Sequence, residues 1–71
     1  MSKDINYIFG KNLKKVRLTK NLTQLQLALE LDLDTTTISK YEKGTRCPSL
    51  KLADKIAKVL DVKLSQLIEE D

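Results

Sequence analysis

The segment 35–43 combines short hydroxyl side chains with two lysines. At about 100° per residue, a helix there would place Thr36, Lys40 and Lys43 on one side, and Ile38 and Tyr41 on the other. Threonine is small enough to let a backbone approach base edges in a major groove, and lysine reaches the acceptors of guanine. The segment therefore predicts a helix face suited to double-stranded DNA, although a solvated face without a ligand fits the same residues.

Few other residues offer a site for chemistry. The chain has no histidine and one cysteine, Cys47, which excludes the usual zinc or iron ligand sets and an internal disulfide. Without an imidazole, a serine or cysteine nucleophile lacks its ordinary base near neutral pH. The sequence predicts a protein that is not an enzyme and needs no metal or cofactor. Cys47 is an unpaired loop thiol in this interpretation, with a redox switch as the alternative.

The charge of the chain is banded. Thirteen Lys and Arg residues against ten Asp and Glu residues give a formal net charge of +3. Residues 1–20 carry +5, residues 21–39 carry −3, residues 40–58 carry +4 and residues 59–71 carry −3. Two basic bands on either side of an acidic one are suited to phosphate contacts that flank a reading helix.

Length and hydropathy limit the organisation of the molecule. A chain of 71 residues holds one small domain, expected over 1–71 with an ordered core at about 5–68. No apolar stretch approaches the roughly 18 residues that cross a bilayer, and the N-terminal residues do not form a signal peptide pattern. These features predict a cytoplasmic protein without a membrane partner.

Short helices must position the segment 35–43, because apolar residues recur every three to four positions and the chain has only 2 Gly and 1 Pro. We predict a first helix of about 14 residues, whose apolar stripe begins at Ile5 and which stops at Asn21. Thr23 is placed to cap a second helix that runs to Leu31.

The remaining helices follow from their caps. Asp34 caps the third helix, Thr35 to Lys43, which ends at Gly44. Ser49 caps a fourth helix, whose predicted buried face consists of Leu50, Ala53, Ile56, Ala57 and Leu60. A last turn or two carries Leu64, Leu67 and Ile68. The fold prediction is all-α with five helices, of which the second and third cross steeply because their connection is short.

A long pattern of matched positions runs through residues 22–49. Its members are Leu22-Thr23-Gln24, Leu27-Ala28, Leu31, Leu33, Ile38-Ser39, Tyr41-Glu42, Gly44 and Pro48-Ser49. This string resembles the helix-turn-helix of the lambda-repressor, Cro and Xre family of DNA-binding regulators, and the resemblance extends over residues 8–68. It implies a lambda-repressor-like domain in which helices two and three form the helix-turn-helix.

The resemblance also implies roles for individual residues. Four positions match those that read base edges: Thr35, Thr36, Lys40 and, flanking them, Ser39. Seven positions match phosphate contacts: Arg17, Thr23, Gln24, Thr37, Lys43, Thr45 and Arg46. The family pairs an arginine of helix one with a glutamate of helix three, and Arg17 and Glu42 hold these places, so that a structural role for this pair is expected.

Two turns depart from the family pattern. Asp32 and Asp61 stand where the family usually has Gly, and Asp is among the few residues that tolerate a left-handed backbone. The fold is therefore expected to survive. Asp34 is expected to be a helix cap, with acceptance of a hydrogen bond from a cytosine amino group as the alternative.

The same resemblance implies that the chain is a transcriptional regulator that binds double-stranded DNA sequence-specifically. The implied form is a homodimer that represses from a pseudo-palindromic operator with half-sites roughly 34 Å apart. Activation of transcription through contact with RNA polymerase is the other regulatory outcome. The alternative is a protein-interaction module, as in an antitoxin or a coactivator. Its support is a set of apolar residues expected at the surface, Leu25, Leu29, Leu52 and Val59, which indicate a self-association or partner surface.

Overall fold

The computed structural model describes residues 4–70, and these residues form five α-helices and no β-strand. The helices are α1 (Ile5–Thr19), α2 (Gln24–Leu31), α3 (Thr35–Lys43), α4 (Leu50–Val59) and α5 (Leu64–Ile68). The prediction of an all-α fold with five helices is confirmed. Residues 1–3 and 71 of the predicted domain lie outside the described part. None of the helices in residues 4–70 has the length and apolar character that a bilayer crossing requires.

Side-chain caps define where four helices begin. Thr23, Asp34 and Ser49 accept hydrogen bonds from the backbone N–H groups of the third residues of α2, α3 and α4, and the three caps are as predicted. Asp4 likewise caps α1 by accepting from the N–H of Asn6. These bonds satisfy donors that a helix start leaves unpaired.

Left-handed residues define the turns. Asp32 ends α2 with φ 57°, and its N–H lies against the carbonyl groups of Ala28 and Leu29. Asp61 after α4 also has φ 57°, and Gly44 ends α3 with φ 78°. The left-handed conformation expected at both aspartates is therefore present, which turns the chain at positions where the family usually has Gly.

One hydrophobic core joins the helices. It consists of Phe9, Leu13, Leu27, Ala28, Leu31, Ile38, Tyr41, Ala53, Ile56, Ala57, Leu60 and Leu67. Helix α1 packs against both α3 and α5, which makes its buried face wider than a single stripe. Ile8 is therefore buried, whereas Ile5, the predicted start of the stripe, is 50% exposed. The wider face also buries two polar residues, Asn12 and Arg17.

Gly10 lies where α1 crosses the end of α3. A Cβ atom at this position would be 2.8 Å from the carbonyl oxygen of Glu42 and still closer to that of Tyr41. Both obstacles are backbone atoms, which cannot rotate away as a side chain can. The absence of a side chain at Gly10 therefore sets the distance between the two helices.

Asn12 joins α1 to the end of α5. Its side-chain amide donates to the carbonyl oxygens of Leu67 at 3.1 Å and Glu69 at 2.9 Å. The amide thereby satisfies carbonyl groups that the end of a short helix leaves without a partner. Leu67 beside it is fully buried in the core.

Two predictions about which residues of α4 are buried are wrong. Leu50 was expected on its buried face but is 77% exposed, because it lies in the first turn at the flank of the stripe that Ala53 begins. Leu52 and Val59 were expected at the surface, yet they are half-buried and pack against the core. The amphipathic face of α4 is therefore rotated slightly from the predicted one.

Candidate nucleic-acid interface

Helix α3 presents a polar face to solvent. Thr36, Lys40 and Lys43 are exposed at intervals of four and three residues, while Ile38 and Tyr41 are buried on the opposite side. Two further residues with predicted base contacts, Thr35 and Ser39, are half-buried at the margins of this face. The structure thus brings together on one helix all four residues predicted to read bases. The two lysines of this helix, Lys40 and Lys43, are both exposed.

Three cations lie around the outer face of α3, and no carboxylate oxygen of residues 4–70 comes within 4.0 Å of their charged groups. Lys40 and Lys43 lie on the helix, Arg46 lies in the loop that follows, and all three are exposed. None of the three forms an ion pair of 4.0 Å or less with another residue of the range 4–70. Their charges are therefore available to an anionic ligand.

The start of α2 has a hydroxyl and two backbone donors at the surface. Thr23 and Gln26 form a reciprocal capping box, with the Thr23 hydroxyl oxygen 3.0 Å from the Gln26 N–H. Within the described residues, the N–H groups of Gln24 and Leu25 have no protein acceptor. The positive end of the helix dipole at this place suits an anion such as a phosphate.

A buried ion pair connects α1 to α3. Arg17 Nε lies 2.6 Å from Glu42 Oε2, and Arg17 Nη2 lies 3.2 Å from Glu42 Oε1. The Arg17 side chain is 7% exposed, and its Nη1 also donates to the carbonyl oxygen of Leu22 at 2.8 Å. This bidentate geometry favours the structural role of the pair over a phosphate contact by Arg17.

Glu42 also binds the start of α2. Its Oε1 accepts a hydrogen bond from Gln24 Nε2 at 3.0 Å. The three side chains come from three different helices and meet in a partly buried network. The sequence gives no signal for the bond to Gln24, because the two residues lie 18 positions apart and meet only through the crossing of α2 and α3.

Two predicted phosphate contacts have intramolecular partners. The hydroxyl of Thr37 donates to Asp34, whose carboxylate also accepts from the Thr37 N–H at 2.7 Å. The hydroxyl of Thr45 donates to the carbonyl oxygen of Lys40 at 3.2 Å, which caps the end of α3. Both threonines therefore stabilise the ends of α3 in the protein without a ligand.

The polar face of α3 and the capped start of α2 are the two parts of this candidate interface. Comparison with known sequences identifies the family that has this pair of helices. The sequence model of a helix-turn-helix family matches residues 13–67, which is most of the chain. The chain belongs to the lambda-repressor and Xre-type helix-turn-helix family.

Several relatives of this helix-turn-helix chain are named as control or controller proteins. The chain is 41% identical over 70 residues to control protein C.BamHI of Bacillus amyloliquefaciens, and this match spans 97% of the chain and 86% of the relative. The crystal structure of the restriction-modification controller protein C.AhdI from Aeromonas hydrophila superimposes with a TM-score of 0.81 and 34% identity. That superposition covers 87% of this chain and 94% of the controller protein.

A further relative in the family is named as an antitoxin. The chain is 36% identical over 64 residues to antitoxin PezA of Streptococcus pneumoniae, and this match spans 90% of the chain but 40% of the antitoxin. The family therefore includes regulators and an antitoxin, and its helix-turn-helix corresponds here to α2 and α3.

The carboxylate of Asp34 caps the start of α3. Hydrogen bonds from the hydroxyl and N–H of Thr37 lower the pKa of Asp34, and the positive charges of Lys40 and Arg46 lower it further. A group whose pKa is lower in the folded state stabilises the fold above its unfolded pKa, about 3.9, and loses that contribution as the pH falls through the folded value.

We expect the stability of the wild-type chain relative to Asp34→Asn to fall below about pH 4, because asparagine also caps a helix but does not titrate. The measurement is the melting temperature of both proteins by circular dichroism from pH 7 to pH 3. A difference in melting temperature that stays constant over this range would contradict the assigned role of the carboxylate.

Proposed function

We propose that this chain is a sequence-specific transcriptional regulator that binds double-stranded DNA as a homodimer. The observation that carries the proposal is the outer face of α3, on which Thr36 and Lys40 are exposed and Lys40 has no ionic partner among the described residues. One α3 helix of each subunit enters one of two successive major grooves on a pseudo-palindromic operator.

The roles of the side chains follow from their positions. Base edges are read by Thr35, Thr36, Ser39 and Lys40. Phosphates are bound by Thr23, Gln24, Lys43, Thr45 and Arg46. The free N–H groups at the start of α2 support the phosphate contacts on that side, while the unpaired cations of α3 and its loop support those on the other. Thr37 is a further proposed phosphate contact, while Arg17 holds Glu42 in the scaffold.

Repression by occlusion of a promoter is the regulatory outcome that we favour. The similarity to the control protein C.BamHI and the restriction-modification controller C.AhdI supports a regulatory role in general. Such a protein acts in the cytoplasm, where it meets DNA. Its occupancy then depends on protein concentration through the dimer equilibrium.

Selection of bound duplexes from a random DNA pool tests this function. We expect enrichment of a sequence with two inverted half-sites about one helical turn apart, bound at least about a thousandfold more tightly than random DNA. The measurement is affinity at several salt concentrations, which also reports the phosphate contacts. Enrichment of no sequence would overturn the proposal.

Lys40 and Arg46 should respond differently to truncation. We expect Lys40→Ala to relax the preference at one or two base pairs, at a cost of about 1–3 kcal/mol on the selected site. We expect Arg46→Ala to weaken binding to all sequences and to lower the salt slope by about one. The measurement is affinity for the selected site and its single-base variants at three salt concentrations.

Lys55→Ala provides the matched control, because Lys55 is exposed on α4 and lies on a different helix from the proposed reading face. It should change neither base preference nor the salt slope appreciably. Identical effects of Lys40→Ala and Arg46→Ala would contradict the division into base and phosphate contacts.

A partner-binding module is the second candidate function. Leu25 and Leu29 support it, because they are 57% and 71% exposed one turn apart on α2. The similarity to antitoxin PezA points the same way. A Leu25→Ser/Leu29→Ser variant that keeps full DNA affinity but fails to restore regulation in cells would favour this candidate.

A further inference from the structure

Glu42 holds partners on two sides. Its carboxylate accepts three hydrogen bonds, two from Arg17 and one from Gln24, and its side chain is 4% exposed. Arg17 already supplies the opposite charge and a bidentate partner. The third bond therefore adds something that the ion pair does not require, namely a fixed position for the Gln24 amide.

The chemistry of the acceptor fixes the orientation of that amide. An ionised carboxylate only accepts hydrogen bonds, so Gln24 must turn Nε2 toward Glu42, at 3.0 Å. The Nε2 group has a second N–H that this bond does not use. The amide is half-buried at the first position of α2, next to the unpaired N–H groups of Gln24 and Leu25.

We propose that Glu42 is a positioning residue that orients the Gln24 amide for its phosphate contact. This inference rests on the proposed DNA-binding function and deepens it. Because Glu42 belongs to α3, the network connects the phosphate contact of α2 to the helix that reads the bases. A displacement of α3 relative to α2 would then misplace the phosphate donor as well as the reading face.

The expected effect follows from side-chain ordering. A long amide side chain that is free in solution loses rotamer freedom when it binds, whereas one that is already held loses less. Loss of the bond from Gln24 to Glu42 should therefore weaken affinity for the selected operator by about two- to tenfold.

The test compares Gln24→Ala in three backgrounds, each as the full chain bound to the selected duplex. The first background is wild type, and the second is Arg17→Met/Glu42→Leu, in which apolar side chains of similar length replace the buried pair. Glu42→Asp is a further background, because it keeps a charge for Arg17 while its shorter side chain draws the carboxylate away from Gln24. Urea titration verifies that each background is folded at the assay temperature.

We expect Gln24→Ala to lower affinity several-fold in wild type and less than about twofold in the two altered backgrounds. Gln26→Ala is the matched control, because Gln26 lies on the same helix and bonds Thr23 rather than Glu42. Its effect should be equal in all backgrounds. A duplex with one methylphosphonate at the contacted phosphate should remove the effect of Gln24→Ala in wild type.

Equal losses from Gln24→Ala in every background would overturn the positioning role while leaving the DNA-binding function intact. Absence of binding to any selected duplex by the unmodified chain would overturn both. A persistent effect of Gln24→Ala on the duplexes with each phosphate neutralised in turn would also overturn the proposal, since the amide would then act without a phosphate.

Discussion

Arg17→Met is expected to lower the free energy of unfolding by about 3–5 kcal/mol, because it leaves the carboxylate of Glu42 buried without a charged partner. Glu42 is 4% exposed as a side chain, so that it cannot regain water without movement of the helices. A loss of this size is comparable to the whole stability of so small a domain. The measurement is equilibrium unfolding in urea followed by circular dichroism.

The double variant Arg17→Met/Glu42→Leu separates the cost of an orphaned charge from the value of the pair itself. Replacement of both partners by apolar side chains is often neutral or stabilising, so the double variant should unfold close to the wild-type midpoint. If the single and double variants are equally unstable, the unpaired carboxylate is not the cause of the loss.

Gly10→Ala is expected to cost about 3 kcal/mol, because the new Cβ would enter the space of the Tyr41 and Glu42 carbonyl oxygens. Alanine is otherwise the better helix former by about 1 kcal/mol, so a loss would run against helix propensity. Urea unfolding measures the effect. Lys11→Ala, at an exposed neighbouring position of the same helix, should leave stability nearly unchanged.

An unchanged or raised urea midpoint for Gly10→Ala would mean that α1 and α3 can separate without cost. A loss should also change DNA binding, because α3 would shift relative to α1. Binding to the selected duplex at a temperature where the variant is folded measures this second effect.

Local rules predict the part of the structure that depends on neighbours along the chain. The caps at Thr23 and Asp34 follow from short polar side chains before apolar runs, and the outward face of α3 follows from helical periodicity. Both need only a few consecutive residues. The left-handed turn at Asp32 follows instead from the resemblance, because the family usually has Gly there and Asp tolerates this conformation.

Contacts between distant residues are the part that sequence patterns do not reach. Asn12 is buried because α5, 55 positions later, returns to α1, and the residues around Asn12 give no sign of this contact. Leu50 reads as core, yet α4 begins beyond the edge of the core. The hydrogen bonds that Thr37 and Thr45 form within the protein likewise depend on where α3 begins and ends.

The amide of Asn12 also bears on the order in which the domain opens. Helix α5 has five residues, far fewer than the roughly 12 that an isolated helix needs in water. Its backbone is therefore protected only while Leu67 and Asn12 keep it docked on α1. In hydrogen exchange, the amide protons of α5 should be released first and those at the crossing of α1 and α3 last.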